Sequence, residues 1–120
     1  MNIKHLLIAA IAVTACGPFH LGTRERAAVI FTNDTIDQAD VYALIGSTQT
    51  VRIGTVLGLH TDTLSIPESV TNQAGGQTNI IARLLAHSYQ PSTGTITLRA
   101  PDVLKVRLSS DGRSLFVTPP

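Results

Sequence analysis

From Ala27 onward the chain alternates apolar and polar residues in short runs separated by turn-forming clusters, and this alternation most restricts the fold. A period of two sends successive side chains to opposite faces of an extended strand, so each run has one face to bury and one to expose. The runs are rich in β-branched residues, which suit a pleated surface better than a helix. They predict strands over residues 27–32, 40–45, 50–56, 61–66, 78–86, 94–99, 103–109 and 113–118. Between them lie Asn33-Asp34-Thr35, Gly46-Ser47, Pro67, Ala74-Gly75-Gly76, Pro91-Ser92, Pro101-Asp102 and Ser110-Asp111-Gly112, all turn chemistry. Asp111-Gly112 reads as a two-residue type I′ hairpin turn. The segment 78–86 is ambiguous, since Ile80-Ile81 and Leu84-Leu85 also suit one helix face with Ala82, Arg83 and Ala86.

Period two also assigns faces. Leu104, Val106 and Leu108 point inward, with Ile96 and Leu98, while Arg99, Lys105 and Arg107 share an outer basic face. Short strands at regular spacing, without alternating helices, predict an all-β fold: a single antiparallel β-sandwich of seven to eight strands, immunoglobulin-like or transthyretin-like.

The first residues follow a different rule. Lys4 and His5 precede the apolar run Leu6-Leu7-Ile8-Ala9-Ala10-Ile11-Ala12-Val13, then small residues, then Cys16, the layout of an export signal. The run is too short to span the roughly 30 Å of bilayer hydrocarbon, which needs about 20 residues. Val13-Thr14-Ala15-Cys16 resembles the cleavage box of bacterial lipoproteins. That resemblance implies removal of residues 1–15 as a lipoprotein signal peptide and lipid attachment at Cys16, with diacylglycerol on sulfur and a further acyl group, palmitate-like, on the new amino terminus. Two or three chains together anchor a protein durably, where one does so only marginally. A cleaved signal with an unmodified cysteine is the alternative. Residues 16–26 then form a lipidated tether reaching at most about 30 Å from Gly17 to Arg26, and residues 27–120 form the β-sandwich domain. Gly17 stands where an acidic residue retains such proteins in the inner membrane, so the expected location is the cell envelope, outer membrane, facing periplasm or surface.

A looser resemblance covers most of the domain. Asp40-Val41-Tyr42-Ala43, Arg52-Ile53-Gly54-Thr55-Val56, Leu64-Ser65-Ile66-Pro67 and Ile81-Ala82-Arg83-Leu84-Leu85-Ala86 are similar to small bacterial envelope β-sandwich domains that follow lipoprotein signals. It implies a fold and a compartment, with no agreed activity.

Chemistry-bearing motifs are few. Apart from Lys4, eight basic residues balance eight acidic ones, and no basic run marks a nucleic-acid surface. Cys16 is the only cysteine, so no disulfide is expected. His20, His60 and His87 are not in zinc-ligand spacing. Asp34, Asp37 and Asp40 share one segment but lack the order of a calcium loop, and read as turn formers. Asp62, Glu68, Asp102 and Asp111 are the carboxylates open to acid–base work, none in a recognisable context. No Gly-x-Ser-x-Gly or Ser-x-x-Lys string occurs, and Gly54 and Gly58 make no phosphate loop. Tyr42, Tyr89 and Phe116 read as core or rim packing. No catalytic residue, cofactor or metal is assigned, and the chain is expected not to be an enzyme. The expected role is a membrane-anchored, non-catalytic interaction or assembly module, binding membrane lipid through acylated Cys16 and an envelope protein through an edge strand or the loops at one end. A small solute carrier, or a minor hydrolytic or metal-dependent enzyme, is the alternative.

Overall fold

The computed structural model describes residues 26–46, 48–85 and 87–118; the export signal, Cys16, His20 and all of the tether but Arg26 lie outside the described residues. The described residues form strands β1 (Ala28–Asn33), β2 (Ala39–Ile45), β3 (Gln49–Val56), β4 (Thr61–Ser65), β5 (Gln77–Leu84), β6 (Ser92–Thr97), β7 (Val103–Leu108) and β8 (Leu115–Thr118). They build two open four-stranded sheets, ordered β4-β1-β7-β8 and β3-β2-β5-β6. Every neighbouring pair is antiparallel except β1 and β7, which run parallel. The fold is all-β, and a short helix α1 (Glu68–Thr71) and a tight turn (Ala74–Gly76) are confined to the β4–β5 connection.

Alternation in the sequence becomes alternation in burial. In β1 and β2 every second residue is buried, so Val29, Phe31, Val41 and Ala43 enter one core shared by both sheets. Fully burying a Val, Leu, Ile or Phe side chain stabilises by about 1.5–3 kcal/mol, and this core must supply most of the stability. The ambiguous segment resolves as β5: Thr78, Ile80, Ala82 and Leu84 are buried while the residues between them are not. A helix would have needed Leu84 and Leu85 on one side, yet Leu85 is 80% exposed.

Two expectations are corrected. The β7–β8 connection is a six-residue loop, in which Gly112 N–H donates to Ser109 O at 2.9 Å, and Gly112 alone takes positive φ (73°). The Asp111 carboxylate accepts from Ser109 Oγ at 2.6 Å and Arg113 N at 3.0 Å, and this local bonding holds a wider turn than type I′. Arg99 does not share a face with Lys105 and Arg107: it lies beyond the end of β6, which belongs to the other sheet. Of the two readings of Phe116, core or rim, the core is excluded: it is 56% exposed in register with Arg107, and the aromatic of the core is Phe31. Residues 68–71 are helical, because Pro67 presets an extended residue at the helix start and Asn72 closes it.

Strand direction sorts the connections into two poles. The chain enters at Ala27 and climbs β1, so the β1–β2, β3–β4, β5–β6 and β7–β8 loops all gather at the far end. The β2–β3, β4–β5 and β6–β7 connections remain at the N-terminal pole.

Candidate functional site

The distal pole is built around one buried amide. Asn33, the last residue of β1, is wholly buried; its Nδ2 donates to Asp37 O at 2.7 Å and Val56 O at 3.1 Å, and its Oδ1 accepts from Thr35 N at 3.0 Å and Thr35 Oγ1 at 2.7 Å. One side chain thereby fixes the β1–β2 loop and the end of β3. Leu59 N–H donates to Thr35 O at 2.9 Å and closes the β3–β4 loop against the same segment. Gly58 permits that approach, since a Cβ there would lie 2.4 Å from Ile36 O.

A second tie joins the remaining loops. His87 Nε2 lies 3.0 Å from Asp37 Oδ2, His87 Nδ1 lies 3.1 Å from Tyr89 Oη, and Tyr89 Oη donates to Asp111 O at 3.1 Å. The His87 and Tyr89 rings meet edge-on at 5.4 Å, and the Arg113 guanidinium covers Tyr89 at 5.2 Å. The Asp37 carboxylate and the Asp111 carbonyl can only accept, so His87 Nε2 and Tyr89 Oη are the donors toward them. The row of carboxylate, imidazole and phenol has the order of a nucleophile relay, but the phenolic hydrogen is committed to a backbone carbonyl. The arrangement braces loops.

Asp34, Asp37 and Asp40 therefore do not converge. Asp34 accepts from Arg107 Nε at 2.5 Å, Asp37 from His87, and Asp40 from Arg52 at 3.1 Å and Thr55 Oγ1 at 2.9 Å. The Asp34 contact raises the Arg107 pKa through its hydrogen bond first and its charge second. His60 bonds the carbonyl of its own turn, Gly58 O, at 2.7 Å. Of the other carboxylates, Asp111 is at the distal pole, Asp62 on edge strand β4, and Glu68 and Asp102 at the N-terminal pole. Among the described residues no group of three His, Cys, Asp or Glu could hold a metal ion, and no helix is long and apolar enough to cross a membrane.

What this pole displays is apolar. Ile36 is 84% exposed, Leu57 53%, Leu59 70% and Leu85 80%: four of the six large apolar side chains exposed among the described residues. They sit on three loops that the ties above hold together. Leu59 also has φ +61°, a left-handed conformation that costs a branched residue about 1–2 kcal/mol and that glycine would adopt freely. An exposed, strained leucine is unexplained by folding. The sequence carried a signal for three of the four, since Ile36, Leu57 and Leu59 lie between the predicted strands, where large apolar side chains are out of place; Leu85 fell inside the strand predicted over 78–86.

The sheet edges are each blunted. β3 is bulged against β2 at Val41/Tyr42, β6 pairs irregularly around Gly94 (φ +80°), and β8 has four residues. On β4, Asp62 lies in register with buried Phe31, which puts a carboxylate on the core-facing side of an edge strand. Bulges, short strands and inward charges all oppose strand addition. Of the two docking routes expected, the loops are the open one.

The N-terminal pole has two hollows flanking the β6–β7 turn. One, of about 440 Å³, is lined by Thr71, Asn72, Gly75, Arg99 and Ala100; the other, of about 350 Å³, by Thr97, Leu98, Asp102, Val103 and Leu104. A third hollow of about 200 Å³ on the outer face of the β3-β2-β5-β6 sheet is lined by Leu44 and Asn79 among others, and Asn79 Oδ1 is buried without a protein donor.

No family model matches the chain, and no curated protein matches it in sequence. A solved structure with a similar chain trace is the NMR structure of a protein from Eubacterium rectale, 11% identical, matching over 80% of this chain and 91% of that one with a TM-score of 0.49.

Proposed function

We propose that the chain is a lipid-anchored protein of the bacterial envelope, held at Cys16 and residing at the outer membrane, that serves as a non-catalytic docking module. The observation that carries this reading is polarity. The segment with the lipoprotein-like box joins the domain at one pole, and the exposed aliphatic cluster of Ile36, Leu57, Leu59 and Leu85 occupies the other. An anchor on the first pole presents the second to a protein partner. Large apolar side chains exposed together at one pole of a small domain mark an interaction site, and loops held by a rigid scaffold are where binding residues concentrate.

For the fold we favour the transthyretin-like form of the sandwich over the immunoglobulin-like one. An immunoglobulin constant domain keeps its first two strands in one sheet. Here β1 and β2 belong to different sheets.

Two measurements test the function. Cells fed a labelled fatty acid incorporate label into the wild-type chain and none into Cys16→Ala. A photo-crosslinking residue at position 59 or 85 traps one reproducible envelope protein, one at position 63 on the outer face of β4 traps none, and Ile36→Asp abolishes the adduct. An unlabelled wild-type chain refutes the anchor; adducts as frequent from position 63 as from 59 refute the docking pole.

A further inference from the structure

We infer that His87 is a pH-sensitive clasp on the docking pole: a second proton on its ring ties the β1–β2, β5–β6 and β7–β8 loops together more firmly in mild acid than at neutral pH, and with them the apolar side chains Ile36 and Leu85. The inference rests on the docking reading above and names the regulation of that same surface.

The row of groups is one hydrogen short when the ring is neutral. Three contacts compose it: His87 Nε2 to Asp37 Oδ2 at 3.0 Å, His87 Nδ1 to Tyr89 Oη at 3.1 Å, and Tyr89 Oη to Asp111 O at 3.1 Å. A carboxylate ends the row on one side and a peptide carbonyl on the other, and neither donates. A neutral imidazole brings one hydrogen and a phenol one, two hydrogens for three contacts. With Nε2 donating to Asp37, the phenolic hydrogen goes to Asp111 O or to Nδ1, and one link stays open. A hydrogen on Nδ1 donates to Tyr89 Oη and lets the phenol donate to Asp111 O, so the row closes. The same proton turns the partly exposed His87–Asp37 contact into an ion pair.

Placement connects the row to the docking side chains. Asp37 follows Ile36 directly, and His87 lies two residues past Leu85. The β1–β2 and β3–β4 loops are joined by Asn33 and Thr35, whose bonds do not titrate. The β5–β6 loop, by contrast, is bonded to its neighbours through His87 and Tyr89.

The other charged groups at this pole have separate engagements. Asp34 pairs with Arg107 and Asp40 with Arg52. The Asp111 carboxylate accepts from Ser109 Oγ and Arg113 N, and the Arg113 guanidinium lies over Tyr89 at 5.2 Å. Arg83 reaches Gln90 Oε1 at 3.5 Å, and His60 bonds Gly58 O within its own turn. Imidazoles are the side chains that ordinarily change charge between about pH 5 and 8, which makes His60 the ring to control for. The added bonds are present in mild acid and are lost as pH rises through that range.

The full-length chain, purified in detergent, supplies the test. Amide-exchange protection factors are measured at about pH 5.5 and about pH 7.5 for His87, whose N–H donates to Leu84 O, and Gly112, whose N–H donates to Ser109 O. Both are expected to be about threefold higher in acid, the effect of one further partly exposed hydrogen bond, while protection of Leu59 is unchanged. His87→Gln keeps a donor toward Asp37 but takes up no proton, and it removes the response. Tyr89→Phe removes it at Gly112 alone, and His60→Gln leaves it intact. Crosslinking from position 85 in cells, repeated at the same two pH values, yields about threefold more adduct in acid. Protection that is equal at both pH values, or a response that survives His87→Gln, overturns the clasp and leaves the docking reading standing. A protection response with equal adduct yields overturns the control of docking. A protection response with no adduct at either pH overturns the docking reading and leaves the clasp as a property of the loops.

Discussion

Replacing Asn33 with alanine isolates the distal-pole tie. The side chain makes two full donations and accepts two bonds in a wholly buried position. At about 1 kcal/mol net for each hydrogen bond, four bonds amount to about 4 kcal/mol. The Asp37 carbonyl lies near the surface and recovers water, which lowers the expected loss to about 3 kcal/mol. Against the 5–15 kcal/mol typical of a domain this is a large fraction, and in urea it moves the midpoint down by about 2 M with an unchanged slope. Denaturation followed by circular dichroism reads the global effect, and amide exchange at Leu59, whose N–H is held by Thr35, reads the local one. Asn33→Asp keeps both acceptor bonds but turns the donor into an acceptor facing the Asp37, Val56 and Leu57 carbonyls. Its loss at neutral pH is at least as large as that of Asn33→Ala, and it shrinks on acidification. A loss below about 1 kcal/mol for Asn33→Ala, with Leu59 exchange unchanged, refutes the assignment of this side chain as the organiser of the pole.

Gly58→Ala places a Cβ against Ile36 O, and the forced shift is expected to destabilise by about 1–3 kcal/mol, with chemical-shift changes concentrated in residues 34–38. Leu59→Gly relieves the left-handed strain, so its melting temperature matches or exceeds that of the wild type while crosslinking at position 85 falls. The Asp111 carboxyl is held below its ordinary pKa by the Ser109 hydroxyl first and the Arg113 amide next. Its contribution is complete above the unfolded value of about 3.9 and is lost as pH falls through the lower folded value. Asp111→Ala therefore flattens stability against pH below about pH 4; an acid limb identical to the wild type contradicts the bonding described. Phe31→Ala, in the core, costs about 3–5 kcal/mol, whereas Ile36→Ser and Leu85→Ser each stay within about 0.5 kcal/mol by the same denaturation assay.

The strands were legible because burial on one face writes itself into every second residue, and β1, β2 and β5 obey that rule along their whole length. What was not legible depends on partners far away in sequence. Asp34 meets Arg107, 73 positions on, and Asp37 meets His87, 50 positions on. Three aspartates in one short segment thus resemble a cation loop until the fold gives each its own base. Arg99 was misplaced for a similar reason: alternation continues through Leu98 and Arg99, but the strand stops at Thr97, and the residues beyond turn toward Asp102. The distal cluster is a property of a pole, and poles exist only once strand directions are known.

The position of β1 has a mechanical consequence. It is an inner strand of its sheet, in register with β4 over five residue pairs and with β7 over six. Traction on the amino-terminal end, with a partner gripping the opposite extremity, runs along the axis of this strand and loads both ladders in shear. Their bonds must then yield together, where an outermost strand peeled sideways surrenders them singly. The segment that receives the pull is the one best placed to withstand it.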